Sequence, residues 1–250
     1  MSVVAQISDL HFQGDAAHRR RIAAVVDYLR NRCGGAASID ALVVSGDLAD
    51  GGLDEQYREA VETVVTDIPT LTLLGNHDDR AAYRRVSRPD DSADPYAPVN
   101  SALELDGLLV LALDSSIPGQ NDGAISPETL AWASRRIEQA GDTPTLVAFH
   151  HPPAAVGMPF MDTIAQQDPS ALAAFVHEHP QIVGLACGHI HSASAGTFAG
   201  VPLVTAPGVS STLNLPFEGD DVINEEQPAG LAFHLIDDRR LTTHFRSVVL

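Results

Sequence analysis

Short apolar, β-branched runs alternate along the chain with longer segments whose apolar residues recur every three or four positions. The runs at 3–7, 41–44, 70–74, 108–113, 145–149 and 182–186 are strand-length and nearly continuous in apolar character, the pattern of strands covered on both faces. Between them the second pattern predicts helices. Ile22, Val25, Val26 and Leu29 share one face of a helix running through Arg30, with Gly34 and Gly35 as its stop. Ala60, Val61, Val64 and Val65 predict a second helix within 54–66. Pro127 opens a third, with Glu128 in its first turn and Leu130, Ala133 and Ile137 along one side, and 169–179 forms a fourth. From about residue 196 short strands separated by Gly and Pro take over, ending in a hairpin that turns near 237–240. Alternating strands and helices followed by a strand-rich end predict an α/β protein with a mixed sheet. Segments 88–98 and 214–228 read as loops within one domain over 1–250, not as linkers.

Composition removes several classes of chemistry. No apolar run approaches the ~20 residues of a bilayer span, and the opening MSVVAQISDLHF lacks the basic n-region of a secretory signal. A cytoplasmic protein with no membrane partner is expected. Cys33 and Cys187 are too few for a disulfide framework or a thiolate zinc site, and Cys187 reads as a packing residue at the end of an apolar run. The 33 acidic residues face 15 basic ones, all of them arginine, for a net charge of −18. Without lysine there is no Schiff-base chemistry and no Walker-type phosphate lysine. The acidity also argues against a nucleic acid polymer as partner, and an anionic substrate would have to find positive charge elsewhere.

The polar residues at the ends of the apolar runs are the informative ones. The first run leads into Asp9 and His11, the second into Asp47 and Asp50, the third into Asn76, His77 and Asp78. The fifth leads into His150 and His151, and the sixth into His189 and His191. Taken singly, an Asp after a strand is a turn or cap residue and an H-x-H is incidental. Five such ends in one register point instead to a shared site at the carboxyl edge of a sheet. Alternate residues of extended backbone point to the same side, so Asp9 and His11 are expected to face that site together. Gly46, Gly75 and Gly188 let the chain turn there and approach closely. Oxygen and imidazole donors without thiolate suit Mn, Fe, Zn or Co in a catalytic site. Asp9, His11, Asp47, Asn76, His150, His189 and His191 exceed what one ion with an open position takes, and suit two. His151 is read as bracing a ligand rather than binding. Asp114 is read as structural, and His18, His177, His179, His234 and His244 as surface or satisfied polar residues.

The series D-x-H (Asp9, His11), G-D-x-x-D (Gly46, Asp47, Asp50), G-N-H-D (75–78), His150 and G-H-x-H (188–191) resembles the calcineurin-like metallophosphoesterases. All five blocks stand in family order. GNHDDR at 75–80 and HHPP at 150–153 are most similar to the bacterial branch of class III cyclic-nucleotide phosphodiesterases and glycerophosphodiesterases. The resemblance implies a four-layer αββα sandwich and two divalent ions, Mn²⁺ or Fe, with Zn²⁺ or Co²⁺ as options. It implies that Asp9, His11 and His191 hold one ion, that Asn76, His150 and His189 hold the other, and that Asp47 bridges. The implied activity is hydrolysis of a small phosphodiester, a 3′,5′-cyclic nucleotide or a glycerophosphodiester, by a metal-activated water; a phosphomonoesterase or protein phosphatase is the alternative. His77, oriented by Asp78, would stabilise the phosphate and protonate the leaving alkoxide, and Asn76, His77 and His191 would contact substrate. A homodimer is a further expectation from the family. Segments 157–168, with Met158, Phe160 and Met161, and 210–228 are candidates for the substrate walls.

Overall fold

Alternate residues of each apolar run divide between two cores, which is why the runs show so little polar interruption. The computed structural model describes residues 1–89, 94–219 and 221–249, so 90–93 and 220, parts of the two expected loops, lie outside the described residues. In chain order the strands are β1 (Ser2–Ile7), β2 (Ala41–Ser45), β3 (Thr70–Leu73), β4 (Ser101–Leu105), β5 (Leu108–Ala112), β6 (Thr145–Ala148), β7 (Ile182–Cys187), β8 (Ser194–Phe198), β9 (Val201–Thr205), β10 (Thr212–Leu213), β11 (Ile223–Asn224), β12 (Ala229–Asp237) and β13 (Arg240–Val248). The α-helices are α1 (Ala16–Asp27), α2 (Asp54–Thr63), α3 (Arg80–Ser87), α4 (Pro127–Ala140), α5 (Pro159–Asp162) and α6 (Ser170–Glu178).

One sheet runs β13-β12-β1-β2-β3 and the other β4-β5-β6-β7-β9-β8, while β10 and β11 form a small hairpin of their own. Strands β1, β2 and β3 are mutually parallel, as are β5, β6, β7 and β9. In β2, Ala41 and Val43 join the core between the sheets, and Leu42 and Val44 join the core against α1 and α2. In β5, Leu108, Val110 and Ala112 face inward, and Leu109 and Leu111 pack toward α4 and α6. Three cores thus separate four layers in the order α, β, β, α. Each fully buried aliphatic side chain in them contributes about 1.5–3 kcal/mol relative to exposure. The C-terminal hairpin is integral, because β12 pairs antiparallel with β1 from Ser2 opposite Ile236 onward.

One polar side chain sits in the inter-sheet core and is satisfied on every side. Gln6 donates to Ser45 Oγ (2.7 Å) and to the Cys187 carbonyl (2.8 Å), and its Oε1 bonds His234 Nε2 at 2.8 Å. It ties β1 to β2, β7 and β12, and it explains how His234 can be wholly buried.

The helices follow their local signals, with altered ends. Asp15 caps α1 by accepting from the amides of Ala17 and His18, and α1 ends at Asp27, after which 28–32 continues as a wider π turn before Gly34. Ser126 caps α4 ahead of Pro127. Helix α2 stops at Thr63, short of the predicted 66. Helix α3 was not legible in the apolar pattern, because its buried face consists of Ala82, Tyr83 and the stem of Arg84.

Candidate metal centre

Strands β1, β2 and β3 of one sheet and β6 and β7 of the other end at a common edge, and each delivers polar residues there. The backbone that presents them is not extended, which corrects the expectation for Asp9 and His11. Asp9, His11, Asp47, His189 and His191 have φ of 56°, 44°, 48°, 71° and 51°, in the left-handed region that costs an L-residue roughly 1–2 kcal/mol. Each side chain is therefore aimed by a turn. Hydrogen bonds hold these turns: the Asp9 amide donates to Gly46 O (3.2 Å) and the His11 amide to Asp47 O (2.9 Å). Such strain persists where surrounding structure over-determines it, typically at functional sites. Two glycines make room. A Cβ on Gly75 would lie 2.1 Å from Asp47 Oδ1, and one on Gly46, whose φ is +95°, would lie 2.4 Å from His150 Nδ1.

The side chains meet in overlapping groups that could hold metal ions. Asp9, His11 and His191 form one group, Asp9, Asp47 and His150 another, and His150, His151 and His189 a third. Asp47 Oδ2 stands between the first and last, 3.5 Å from His11 Nε2 and 3.3 Å from His150 Nε2. His191 Nε2 is 3.5 Å from Asp9 Oδ1. Asn76 lies at the same edge with its Oδ1 buried and unpartnered.

Hydrogen bonds on the outer ring nitrogens fix the tautomers. His150 Nδ1 donates to Ser45 O (2.8 Å), His191 Nδ1 to Ser211 O (3.1 Å), His11 Nδ1 to the Asp50 carboxylate (3.0 Å) and His189 Nε2 to Ile164 O (3.0 Å). Carbonyls and carboxylates only accept, so each ring carries its proton outward and keeps the opposite nitrogen's lone pair for the cluster. His11 Nε2 and His191 Nε2 consequently face each other at 3.2 Å, an arrangement a cation relieves. Asp9 Oδ2 and Asn76 Oδ1 are buried acceptors with no partner, which is costly unless something positive is bound. The residues present fit divalent ions. His151 differs: Ser115 Oγ accepts from the His150 and His151 amides and so has its proton left for His151 Nδ1. That leaves Nε2 of His151 protonated, also without a partner, and makes the ring a donor.

The protein's own charges register the same demand. Burial lowers the basicity of His150, but the charges of Asp47 and Asp9 outweigh it and raise its pKa to about 9. His11 is raised in the same way, burial being overcome by Asp50, Asp47 and Asp9. Burial raises Asp47, yet the charges of His150 and His11 hold it well below the usual carboxylate range. His189 is pushed down to about 3 by burial and by the charge of His150.

A cleft of about 460 Å³ opens onto this edge. His11, Asp47, Asn76, His77, His189 and His191 line its floor, so the three residues expected to contact substrate all face it. Phe160, Met161, Ile164, Leu213, Val222 and Ile223 make an apolar wall, and Gln13, His18 and Glu225 a polar flank. Both segments expected to wall the substrate contribute. Met158 and Met161 pack with Ile190 and Leu213, whereas Phe160 is 61 % exposed. No arginine lines the cleft among the described residues, so charge on a bound anion would have to be met by imidazoles and ions.

Asp78 does not orient His77, contrary to expectation. Its carboxylate accepts from the amides of Leu48 (3.2 Å), Ala49 (3.0 Å) and Gly75 (2.9 Å) and from Tyr57 Oη (3.1 Å), tying the β2 and β3 turns together. Buried beside Asp47, it is raised to about 6, burial being the larger cause. The partner of His77 is Asp50, whose carbonyl accepts from His77 Nδ1 at 2.8 Å and whose carboxylate lies 3.8 Å away. Asp114 is structural as read, accepting from Arg80 Nε, Val99 N and Ser116. Two residues of α1 carry a part that periodicity does not reveal. His18 lines the cleft, and the buried Arg21 donates to the carbonyls of Val209 (3.0 Å), Glu225 (3.1 Å) and Gln227 (2.9 Å), pinning the segment that carries the apolar wall.

A family model described as calcineurin-like phosphoesterase matches residues 2–193. A glycerophosphodiester phosphodiesterase of Enterobacter lignolyticus is 32% identical over 218 residues, covering 82% of this chain and 76% of that protein. A cAMP/cGMP dual specificity phosphodiesterase of Mycobacterium tuberculosis is 31% identical over 225 residues, covering 85% and 69%. Among solved structures, a dimetal phosphatase from Danio rerio aligns with a TM-score of 0.71 over 99% of this chain and 96% of that one. At 14% identity, that likeness concerns the fold.

Proposed function

The chain belongs to the calcineurin-like phosphoesterase family, and on that premise we propose that it is a di-metal phosphodiesterase of small phosphodiesters, either 3′,5′-cyclic nucleotides or glycerophosphodiesters. The observation that carries the reading is the set of imidazoles whose outer nitrogens are all committed, leaving their lone pairs turned on two buried carboxylates. Asp9, His11 and His191 would hold one ion, Asn76, His150 and His189 the other, and Asp47 would bridge them. Mn²⁺ or Fe suits this donor set, with Zn²⁺ and Co²⁺ also admissible. Bound there, the ions supply a nucleophilic water at neutral pH and positive charge for the phosphoryl oxygens.

The protein's part is to orient and to move a proton. With Nδ1 of His77 donating to the Asp50 carbonyl, its Nε2 is left for the cleft; having taken up a second proton there from water, the imidazolium would hydrogen-bond the phosphate through Nε2–H and pass that proton to the leaving alkoxide. Asn76 and His191 contact the same phosphate. His77→Ala should lower kcat by about 10²–10⁴ with both ions retained; near-full activity would remove His77 from the mechanism.

The rest of the reading comprises one domain over 1–250, a cytoplasmic location, no nucleic acid polymer as partner and a homodimer. Pairing of β12 with β1 supports the first. No helix among the described residues is long and apolar enough to cross a membrane. The net charge of −18 disfavours polyanions. Exposed Phe217, 82 % accessible, is where a second copy would be sought, by light scattering. A panel of cyclic mononucleotides, glycerophosphodiesters and phosphomonoesters with Mn²⁺ tests the activity. Turnover of bis(p-nitrophenyl) phosphate in preference to p-nitrophenyl phosphate is expected, and the reverse preference would favour the monoesterase.

A further inference from the structure

Five histidines line the cleft, each with one ring nitrogen at an oxygen atom, and four of them, His11, His77, His189 and His191, stand at the strand edge that holds the buried carboxylates. The fifth, His18, does not. It belongs to none of the groups that could hold a metal among the described residues, yet it lines the cleft beside Gln13 and Glu225. Its Nδ1 hydrogen-bonds the Asp15 carboxylate and lies 2.9 Å from Gln13 Nε2, which itself donates to Asp15 Oδ2 at 2.7 Å.

Asp15 is itself fixed. It caps α1 through the amides of Ala17 (2.6 Å) and His18 (3.2 Å), and those bonds with Gln13 hold its carboxyl far below the usual range. A carboxylate locked to a helix N-terminus therefore sets the orientation of the ring. His18 lines the cleft and Asp15 does not, and both contacts of the ring are made by Nδ1, which leaves the Nε2 edge. Nε2 has no hydrogen-bond partner among the described residues.

Resting on the phosphodiesterase reading above, we propose that His18 is a specificity-determining residue whose Nε2 hydrogen-bonds a hydroxyl on the organic part of the ester while the phosphoryl group lies on the cleft floor. A hydroxyl both donates and accepts, so it satisfies this nitrogen in either protonation state. In a cleft that also carries an apolar wall, such a bond would orient a polyol or ribose and would ignore an aryl ester that lacks hydroxyls.

The test compares kcat/KM for 3′,5′-cAMP, 2′-deoxy-3′,5′-cAMP, a glycerophosphodiester and bis(p-nitrophenyl) phosphate in wild type, His18→Ala, His18→Gln and Asp15→Asn, all loaded with Mn²⁺. Expected is a loss of roughly three- to tenfold in His18→Ala on hydroxyl-bearing esters, the worth of one neutral hydrogen bond, with partial rescue by Gln. The bis-ester and the deoxy nucleotide should be unaffected, and melting temperature and metal content unchanged. Asn caps a helix as well as Asp but releases the ring, so Asp15→Asn should reproduce part of the loss and add nothing to His18→Ala. An equal loss on every ester, or none on any, overturns the proposal. Failure of the diesterase reading would show in wild type alone. The same comparison then runs between a nucleoside monophosphate and p-nitrophenyl phosphate, with the same outcomes for or against His18.

Discussion

Metal loading should release protons, and the structure says from where. His150 is wholly buried with its pKa raised to about 9, the charges of Asp47 and Asp9 overcoming desolvation. An ion binds only the unprotonated nitrogen. At pH 7 a group titrating near 9 has to be stripped of its proton at a cost of roughly 3 kcal/mol, at 1.36 kcal/mol per pH unit, or about a hundredfold in affinity. His11, also raised, adds in the same direction. His189, near 3, has no proton to lose at this pH, and Asp47 is already ionised. Affinity should therefore climb at least tenfold per unit between pH 6.5 and 8.5, with at least one proton released per chain. Calorimetric titration of chelator-stripped protein with Mn²⁺, in two buffers of different ionisation enthalpy, counts those protons. An affinity flat across that range with no proton released would refute the charge pairing described for the cluster.

Other perturbations probe the scaffold. Gly75→Ala drives a Cβ to 2.1 Å from Asp47 Oδ1 and 2.7 Å from Asp47 N; it should cost about 1–3 kcal/mol in urea unfolding and lower bound metal, and a fully loaded variant would show the close approach to be dispensable. Arg21→Lys exchanges three bonds to buried carbonyls for at most one or two well-placed ones. About 2–4 kcal/mol should be lost, with faster amide exchange at Leu213 and Asn224 and a raised KM, whereas unchanged exchange would detach Arg21 from the cleft wall. His234, fully buried, is lowered to about 4 by desolvation. Its contribution is fully present above the unfolded value near 6.5 and is lost as pH falls toward 4, because only the unfolded chain gains the proton. Between those limits the protein should lose about 3 kcal/mol more than His234→Gln; equal losses would mean that His234 is not the buried neutral group described.

What the sequence made legible was decided by periodicity and by which residues stand at strand ends. Strands buried on both faces leave continuous apolar runs, so β1, β2, β5, β6 and β7 were readable, and the residues after them are the ones the fold gathers. The orientation of those residues was not readable. Periodicity implies extended backbone past β1, whereas the chain turns left-handed at Asp9 and His11, held by bonds to the β2 turn that no local pattern encodes. Asp78 was misread for a related reason: adjacency to His77 suggested a partnership, but its carboxylate serves amides about thirty positions away. His18 and Arg21 are ordinary polar positions on an amphipathic helix until the segment 209–227 folds over them. Helix α3 was hidden because Arg84 spends its stem on burial and its guanidinium on the carbonyls of Ala97 and Pro98.

The central claim, that two ions held by this cluster carry out phosphodiester hydrolysis, is tested most directly by counting metal and measuring bis(p-nitrophenyl) phosphate turnover on the same preparation before and after chelation. The account expects two ions per chain, turnover abolished when they are stripped, and recovery on adding Mn²⁺. Full turnover in chelator by protein with no bound metal would contradict it.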